Sequence, residues 1–529
     1  MKIKVLMAVM AAVSVICGAA PKPNILFIHI DDMDFDEIGA YAGTGQCWTP
    51  HMDELVKSGM KFTRGYVTSP VCVPSRFATL TGRYASRCAY NEHSVSAETT
   101  LNIENVWGEG GNARKTPPVI EENEYTFAKL LKRAGYTTGL VGKIHNDRPS
   151  LQRPVQGMVE GDSHDPVVAE KIRQHYRTVV DRVRRNFGFD VVDRLYYDNK
   201  EQLPIPKDLQ TINGAWITEG AIRFLEDVDK SKPFCLYYSN PIPHGQMVRP
   251  LGNKNNAGKK IIGHHVEINM AGEKALATPA GWLAEPPATQ PSVEDCLERF
   301  WASAPNANPD AALLTWLDDS VGALLGKLDE LGLRDNTLIF FLSDHQSVDK
   351  FTVFETGAHV PFAVSWKGHV APKTVSDSLV CSLDITATMV DVAGVDIPED
   401  CVLDGFSMVP MFGNPDAEIR DDFLIELGYG RGLVTRSWQY LALRFPEDME
   451  QPSKEKPQLP AGGDRKGKAQ RLLENHPGGM DFDQLYRLDR DPGLVSNVWK
   501  NPENKAVGEK LRGRLGEYIK TFPHAFGEF

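Results

Sequence analysis

The sequence predicts an α/β fold: one large mixed, mostly parallel sheet sandwiched by helices, plus a smaller C-terminal α+β subdomain with a short antiparallel sheet. Three observations predict it. Short apolar runs end abruptly in charged residues, helical stretches lie between those runs, and beyond about residue 415 the pattern changes to alternation. Uninterrupted apolar runs suit strands buried on both faces, and strand–helix–strand order is the mark of a parallel sheet.

The elements follow in order. Lys2 and Lys4 precede an apolar run over residues 5–17 and the small residues Gly18-Ala19-Ala20, the layout of an export signal. The run is too short for a comfortable membrane span, and cleavage is placed near Ala19 because Pro21 is poor just after a scissile bond. Anchoring as a lipoprotein through Cys17 is the lesser alternative, since bulky Ile16 stands where a small residue is expected. The mature protein is therefore expected to be periplasmic or extracellular, with no further membrane span.

Residues 24–30 form the first apolar run and lead into Asp31-Asp32. Residues 125–134 read as a helix with Phe127, Leu130 and Leu131 on one face and Gly135 as its stop. Residues 137–142 are the second run and lead into Lys143 and His145. Residues 313–331 repeat apolar side chains at helical spacing before Gly332, and the third run, 337–343, leads into Asp344-His345. Ligand crevices in such sheets lie beyond the carboxyl ends of the strands, where these polar residues fall. Residues 253–291 and 446–480, rich in Pro and Gly, read as insertions. Residues 432–443 alternate like an antiparallel hairpin, and 502–520 read as a closing helix with Asn501 as its cap. The expected organisation is a signal over 1–19, a catalytic domain over 20–415 and a C-terminal subdomain over 416–529.

Composition narrows the function. With 42% hydrophobic and 24% charged residues, the 529-residue chain is an ordinary globular protein. Its net charge of −12 argues against nucleic acid as a partner, which needs a basic surface, but leaves room for a small anion met by a local basic cluster. Eight cysteines contain no CxxC pair, so neither a structural zinc site nor a thioredoxin-type motif is expected. An exported chain permits disulfides. With Cys17 removed and Cys72 set aside for chemistry, six cysteines remain for pairing, Cys381 with Cys401 being the favoured local pair.

The most specific signal is Cys72-Val73-Pro74-Ser75-Arg76 followed by Leu80-Thr81-Gly82-Arg83. It resembles the C-x-P-S-R…L-T-G-R signature of the type I sulfatases, in the alkaline-phosphatase superfamily. The resemblance implies an alkaline-phosphatase-like fold and oxidation of Cys72 to formylglycine by a separate maturation enzyme. In that family one hydroxyl of the hydrated aldehyde attacks sulfur, and the other expels sulfate by collapse to the aldehyde. A Ser or Thr would leave a sulfate ester that is hard to release, whereas a hemiacetal-type ester unravels itself.

Further segments fit the same family. Asp31-Asp32 after the first strand and Asp344-His345 after the third match its metal site, so Asp31, Asp32, Cys72, Asp344 and His345 are the implied ligands. Oxygen-rich donors favour Ca2+, with Mg2+ the competitor. Gly142-Lys143-Ile144-His145 resembles the family's G-K-x-H, and Pro243-His244 its P-H segment. By resemblance Arg76 orients the formylglycine, and Lys143 and Lys350 hold sulfate against charge developing in the transition state. His145 is implied to deprotonate the second hydroxyl. His244, with Lys350, is implied to protonate the leaving alcohol.

Two positions depart from the family: Gln346 and Asp349 stand where it commonly has Gly. A changed loop shape is expected there, and Asp349 is placed to pair with Lys350 and draw it from sulfate. Likeness continues in residues 49–55, 354–361 and 484–497 and is weakest in 146–210 and 245–310.

The expected substrate is a sulfated carbohydrate. Tyr429, Arg431, Arg436 and Trp438 are candidates to meet it, as an aromatic beside an arginine suits a charged sugar. His93, in Asn91-Glu92-His93, is another. The basic run 171–185, with Arg173, Arg177, Arg182 and Arg184, reads first as a solvated helix face and second as a polyanion rim. Two alternatives stay open: a phosphate or phosphonate monoester hydrolase of the same superfamily, and a non-catalytic protein that binds sulfated glycans.

Overall fold

The structure, a computed structural model, describes residues 22–42, 47–88, 118–147, 152–244, 275–305, 307, 311–444 and 472–523. The expected signal, residues 91–93 and much of both inserted stretches lie outside the described residues.

In chain order the strands are β1 (Asn24–Asp31), β2 (Met60–Phe62), β3 (Gly65–Tyr66), β4 (Thr137–Lys143), β5 (Val191–Tyr196), β6 (Phe234–Pro243), β7 (Ala277–Thr278) and β8 (Gly281–Trp282). Then follow β9 (Thr337–Ser343), β10 (Phe362–Ser365), β11 (Thr374–Ser376), β12 (Val380–Cys381), β13 (Asp422–Leu427), β14 (Gly430–Thr435), β15 (Trp438–Leu443) and β16 (Asp483–Arg487). Among the helices are α1 (Pro50–Lys57), α2 (Cys72–Thr81), α3 (Phe127–Arg133), α4 (Pro166–Phe187), α5 (Gly214–Asp227), α6 (Ala312–Glu330), α7 (Leu383–Val392) and α8 (Lys505–Lys520).

Eight strands form the main sheet in the order β11-β2-β10-β9-β1-β6-β4-β5. The central block β9-β1-β6-β4-β5 is parallel throughout, while β10 runs antiparallel to both its neighbours. All eight residues of β1 are buried, as an uninterrupted apolar run requires of a strand covered on both sides. Each fully buried Ile, Leu or Phe there contributes roughly 1.5–3 kcal/mol. Helices cover both faces. On β6, Tyr237 packs its ring against Phe127 of α3, while the next residue, Tyr238, meets the Thr218 hydroxyl of α5.

Near the C-terminus β13, β14, β15 and β16 make a separate four-stranded antiparallel sheet. The expected hairpin over 432–443 is its β14–β15 pair. The closing helix differs in detail from expectation. A 3-10 turn over Pro502–Asn504 precedes α8, and the Asn501 side chain makes no capping bond. Pro502 fixes the first-turn geometry but offers no N–H, so the chain tightens before it settles into the α form.

The disulfide expectation is overturned for the described cysteines. Cys47, Cys72, Cys88, Cys235, Cys296, Cys381 and Cys401 are all free. Cys235 lies inside the central strand β6 and Cys381 in β12, both fully buried, while Cys401 sits in a partly exposed loop. Cys47, Cys88, Cys235, Cys296 and Cys381 act as small core side chains, and burial pushes Cys47 and Cys296 up to about 12.

Candidate active site

Four adjacent strand ends meet at one edge of the main sheet. Asp31 ends β1 and Asp32 follows with φ of 61°. Asp344 and His345 follow β9, Lys143 ends β4, His145 lies just beyond it, and His244 follows β6. The register brings these ends level, since Asp31 pairs with Pro243, Ile30 with Ser343 and Gly142 with Ser239. Gly142 is dictated by that crowding. Its φ is +90°, and a Cβ there would stand 1.9 Å from the Ser239 carbonyl oxygen.

Above this edge α2 presents its N-terminus. Cys72 is its first residue, buried, with Arg76 one turn on along the same face. Gly82, at φ of 66°, ends the helix in the left-handed form. The Cys72 Sγ lies 3.2 Å from His345 Nε2. Burial pushes its thiol up, but Lys143, with Lys350 and His345 behind it, outweighs burial and holds it well below the usual thiol value.

Arg76 anchors the floor with no exposed surface. Its Nε donates to Asp344 Oδ2 at 3.0 Å, Nη2 lies 3.4 Å from Asp31 Oδ1, and Nη1 donates to Ser239 Oγ at 2.6 Å. Lys143 donates to Asp31 Oδ2 and, at 2.6 Å, to Asn199 Oδ1. Lys350 donates to both oxygens of Asp32 at 2.8 and 2.9 Å. His145 Nε2 stands 3.0 Å from Asp198 Oδ1. Burial draws His145 down, yet its hydrogen bonds to Asp198 and to Cys72 raise it above the ordinary imidazole value. His244 Nε2 is 3.8 Å from Asp32 Oδ2.

One atom each from Asp31, Asp32, Cys72 and His345 lie within 4.8 Å of one another, a spacing that a metal ion can bridge. The donors fit such an ion: Asp31 Oδ1 is buried without a hydrogen-bond partner, the Arg76 guanidinium standing off at 3.4 Å, so this oxygen is free to accept a cation. Asp344 stands beside this quartet. Its Oδ1 accepts the Asp32 backbone N–H at 3.0 Å and lies 3.6 Å from His345 Nε2.

The sequence-predicted residues thus divide. Cys72, Arg76, Lys143, His145, His244, Lys350, Asp31, Asp32, Asp344 and His345 are brought together. Asp349 does not pair with Lys350 as expected: its carboxylate turns to Thr356 Oγ1 at 2.5 Å and His476 Nε2 at 3.2 Å. Gln346 turns aside too, donating to the Thr356 and His359 carbonyls. The C-terminal candidates are otherwise employed. Arg436 is held by Asp377 at 2.6 Å and Glu418 at 2.8 Å at the β14–β15 turn, and no described contact joins it to Cys72. Arg431 points inward, where the register sets it opposite Glu426, and it is buried with Tyr429. Trp438 carries the Arg487 guanidinium over its ring. On α4, Arg182 is buried against Asp147 at 2.8 Å, whereas Arg173, Arg177 and Arg184 pair with acids of their own helix, the solvated face expected first. His93 lies outside the described residues.

Sequence reasoning missed Asp198 and Asn199. The signal was present: β5 closes on Leu195-Tyr196, and Tyr197 leads into Asp198-Asn199, an apolar-to-polar step like that at the ends of the other three strands.

The family model described as Sulfatase matches residues 23–395. Among similar proteins, the N-acetylgalactosamine-6-O-sulfatase of Bacteroides thetaiotaomicron is 26% identical, with 94% of this chain and 93% of that one covered. The N-acetylgalactosamine-6-sulfatase of Rattus norvegicus is 27% identical, with 77% and 69% covered. In fold the chain is similar to a solved structure from Bacteroides fragilis, with a TM-score of 0.58, 20% identity and 96% and 98% of the two chains covered.

Proposed function

The chain belongs to the sulfatase family of sulfuric ester hydrolases, and we propose that it is exported and removes sulfate from a sulfated carbohydrate. The observation that carries the reading is Cys72 itself, buried at a helix N-terminus and ringed by Asp31, Asp32, His345, Lys143 and Lys350. Two of the similar proteins are N-acetylgalactosamine 6-sulfatases by name, which supports a sulfated amino sugar as the first substrate to try.

When present, a formylglycine made from Cys72 supplies the hydrated-aldehyde nucleophile, and a Ca2+ or Mg2+ ion held by Asp31, Asp32, residue 72 and His345, with Asp344 beside them, supplies positive charge to a sulfate oxygen. The rest is the work of this chain's own side chains. Arg76 fixes Asp31 and Asp344, and so the floor on which sulfate rests. Lys143 and Lys350 bring two ammonium groups to the sulfate and offset charge gathering on its oxygens. His244, at the end of β6, gives a proton from Nε2 to the departing sugar oxygen, and His145, oriented by Asp198, takes one when sulfate leaves. Maturation needs a partner enzyme that oxidises Cys72 before the site closes around it. Export rests on residues 1–19, and no helix among the described residues is long and apolar enough to cross a membrane. We take residues 20–415 as the catalytic domain and 416–529 as its companion.

The test is sulfate release from a panel of 6-O-, 4-O- and 2-O-sulfated mono- and disaccharides, with the matching phosphate esters alongside. Release from one sulfated sugar, absent from Cys72→Ala protein, is expected. Faster turnover of the phosphate esters would assign the site to phosphoryl chemistry, and tight binding without release would make the protein a glycan-binding one.

A further inference from the structure

The loop carrying Lys350 is built in a way that nothing in the active site itself explains. Asp349 and Phe351, on either side of Lys350, have φ of 51° and 72°, a region that residues bearing a Cβ avoid. Two such residues within three positions persist only where the surroundings hold them.

The holding contacts are identifiable. Asp349 Oδ2 accepts from Thr356 Oγ1 at 2.5 Å and meets His476 Nε2 at 3.2 Å. The His476 ring is buried, its Nδ1 lies 3.1 Å from the Leu494 carbonyl, and it stacks on Phe354 with centroids 3.8 Å apart and planes 18° from parallel. Gln439 of β15 grips the far side of the loop, donating to the Val353 carbonyl at 2.6 Å and accepting from the Glu355 N–H at 3.0 Å. Gly357 permits the close fit, since a Cβ there would stand 2.5 Å from the Asp349 carbonyl oxygen.

We propose that Asp349 and His476 are positioning residues: their contact fixes the 349–356 loop to the C-terminal part of the chain and thereby holds Lys350 over Asp32. The proposal deepens the function above and rests on it only for the catalytic meaning of Lys350. An aspartate in a left-handed position, which at first sight threatens Lys350, is on this account what keeps it in place. Asp tolerates that conformation better than most residues, and its carboxylate reaches a histidine that glycine could not.

The experiment reads Lys350 directly. The full-length protein is treated briefly with acetic anhydride, and the acetylation rates of Lys350 and Lys143 are compared by mass spectrometry. Lys143 is the internal standard because β4, Asp31 and Asn199 hold it independently of the loop. His476→Ala and Asp349→Ala are each expected to raise the Lys350-to-Lys143 rate ratio about tenfold, the effect of losing one hydrogen bond to a charged group. The double variant should go no further than the larger single effect, because both remove one interaction. Asp349→Asn, which keeps an acceptor, should stay within about threefold of wild type. Lost kcat/KM for a sulfate ester should follow the ratio across the series. An unchanged ratio in both folded alanine variants overturns the proposal, as does an equal rise at Lys143, which would mark general loosening. The ratio is measurable in protein that turns nothing over, so a failure of the sulfatase reading and a failure of the clasp are told apart.

Discussion

Replacing Arg76 by Met removes the cation on which the floor of the site depends. Arg76, Asp31 and Asp344 have side chains with no exposed surface. Taking one partner from a buried pair strands the other charge and costs about 3–5 kcal/mol. The lower part of that range applies here. Asp31 keeps Lys143, and Asp344 keeps the Asp32 N–H at 3.0 Å, so one carboxylate rather than two is left without a cation. Met fills most of the stem volume, which keeps the cavity contribution small. The assay is urea unfolding in EDTA followed by tryptophan fluorescence, comparing Arg76→Met with wild type. A loss of about 3 kcal/mol is expected, and Asp344→Asn in the same background should give back at least about 1 kcal/mol by removing the stranded charge. A loss below about 1 kcal/mol, or strict additivity in the pair, would refute the view that Arg76 neutralises this floor.

Other outcomes follow from the same geometry. EDTA should lower the thermal unfolding midpoint and Ca2+ raise it again, the ion adding about 2.7 kcal/mol to the unfolding free energy when free ion is 100 times its Kd; Asp31→Asn and Asp32→Asn should each remove that response. Asp198→Asn should cut kcat roughly 10²-fold with KM little changed, because His145 loses its orienting carboxylate, and steady-state kinetics on the best panel substrate would read it. Asp318 of α6 accepts the His51 and Met52 N–H groups at the start of α1, at 3.0 and 2.7 Å. Asp318→Ala should therefore cost about 1–2 kcal/mol in chemical unfolding at unchanged metal affinity, and an unaltered midpoint would mean that the helix start is satisfied in another way.

The core of this arrangement was legible because the sheet writes its active edge into the chain. Apolar runs ending in Asp31-Asp32, Lys143 and Asp344-His345 named both the strands and the edge where their polar ends converge, and the Cys72-to-Arg83 signature singled out the residues set above it. What stayed hidden depends on where side chains turn. Asp349 and Lys350 are neighbours, so sequence suggested a pair; left-handed backbone at Asp349 sends its carboxylate to His476, 127 positions away. Arg431 and Arg436 share one short stretch, yet the register buries the first against Glu426 and leaves the second on two surface acids. The six cysteines set aside for pairing looked ready to bridge in an exported chain, but the fold places them on separate elements, Cys235 and Cys381 in buried strands and Cys401 in a partly exposed loop. Asp198-Asn199 was overlooked because residues 146–210 carried the weakest likeness to any known pattern, though the strand before it ended as the others did.

On the proposed function, residue 72 carries the reaction only after oxidation to formylglycine. The most direct measurement takes preparations made with increasing amounts of a formylglycine-generating enzyme and plots specific sulfatase activity against the fraction of the residue-72 peptide whose mass is that of the aldehyde. A straight line through the origin, with Cys72→Ala at zero, is the predicted result. Activity that persists at zero conversion, or that stays flat as conversion rises, would contradict it and place the nucleophile elsewhere.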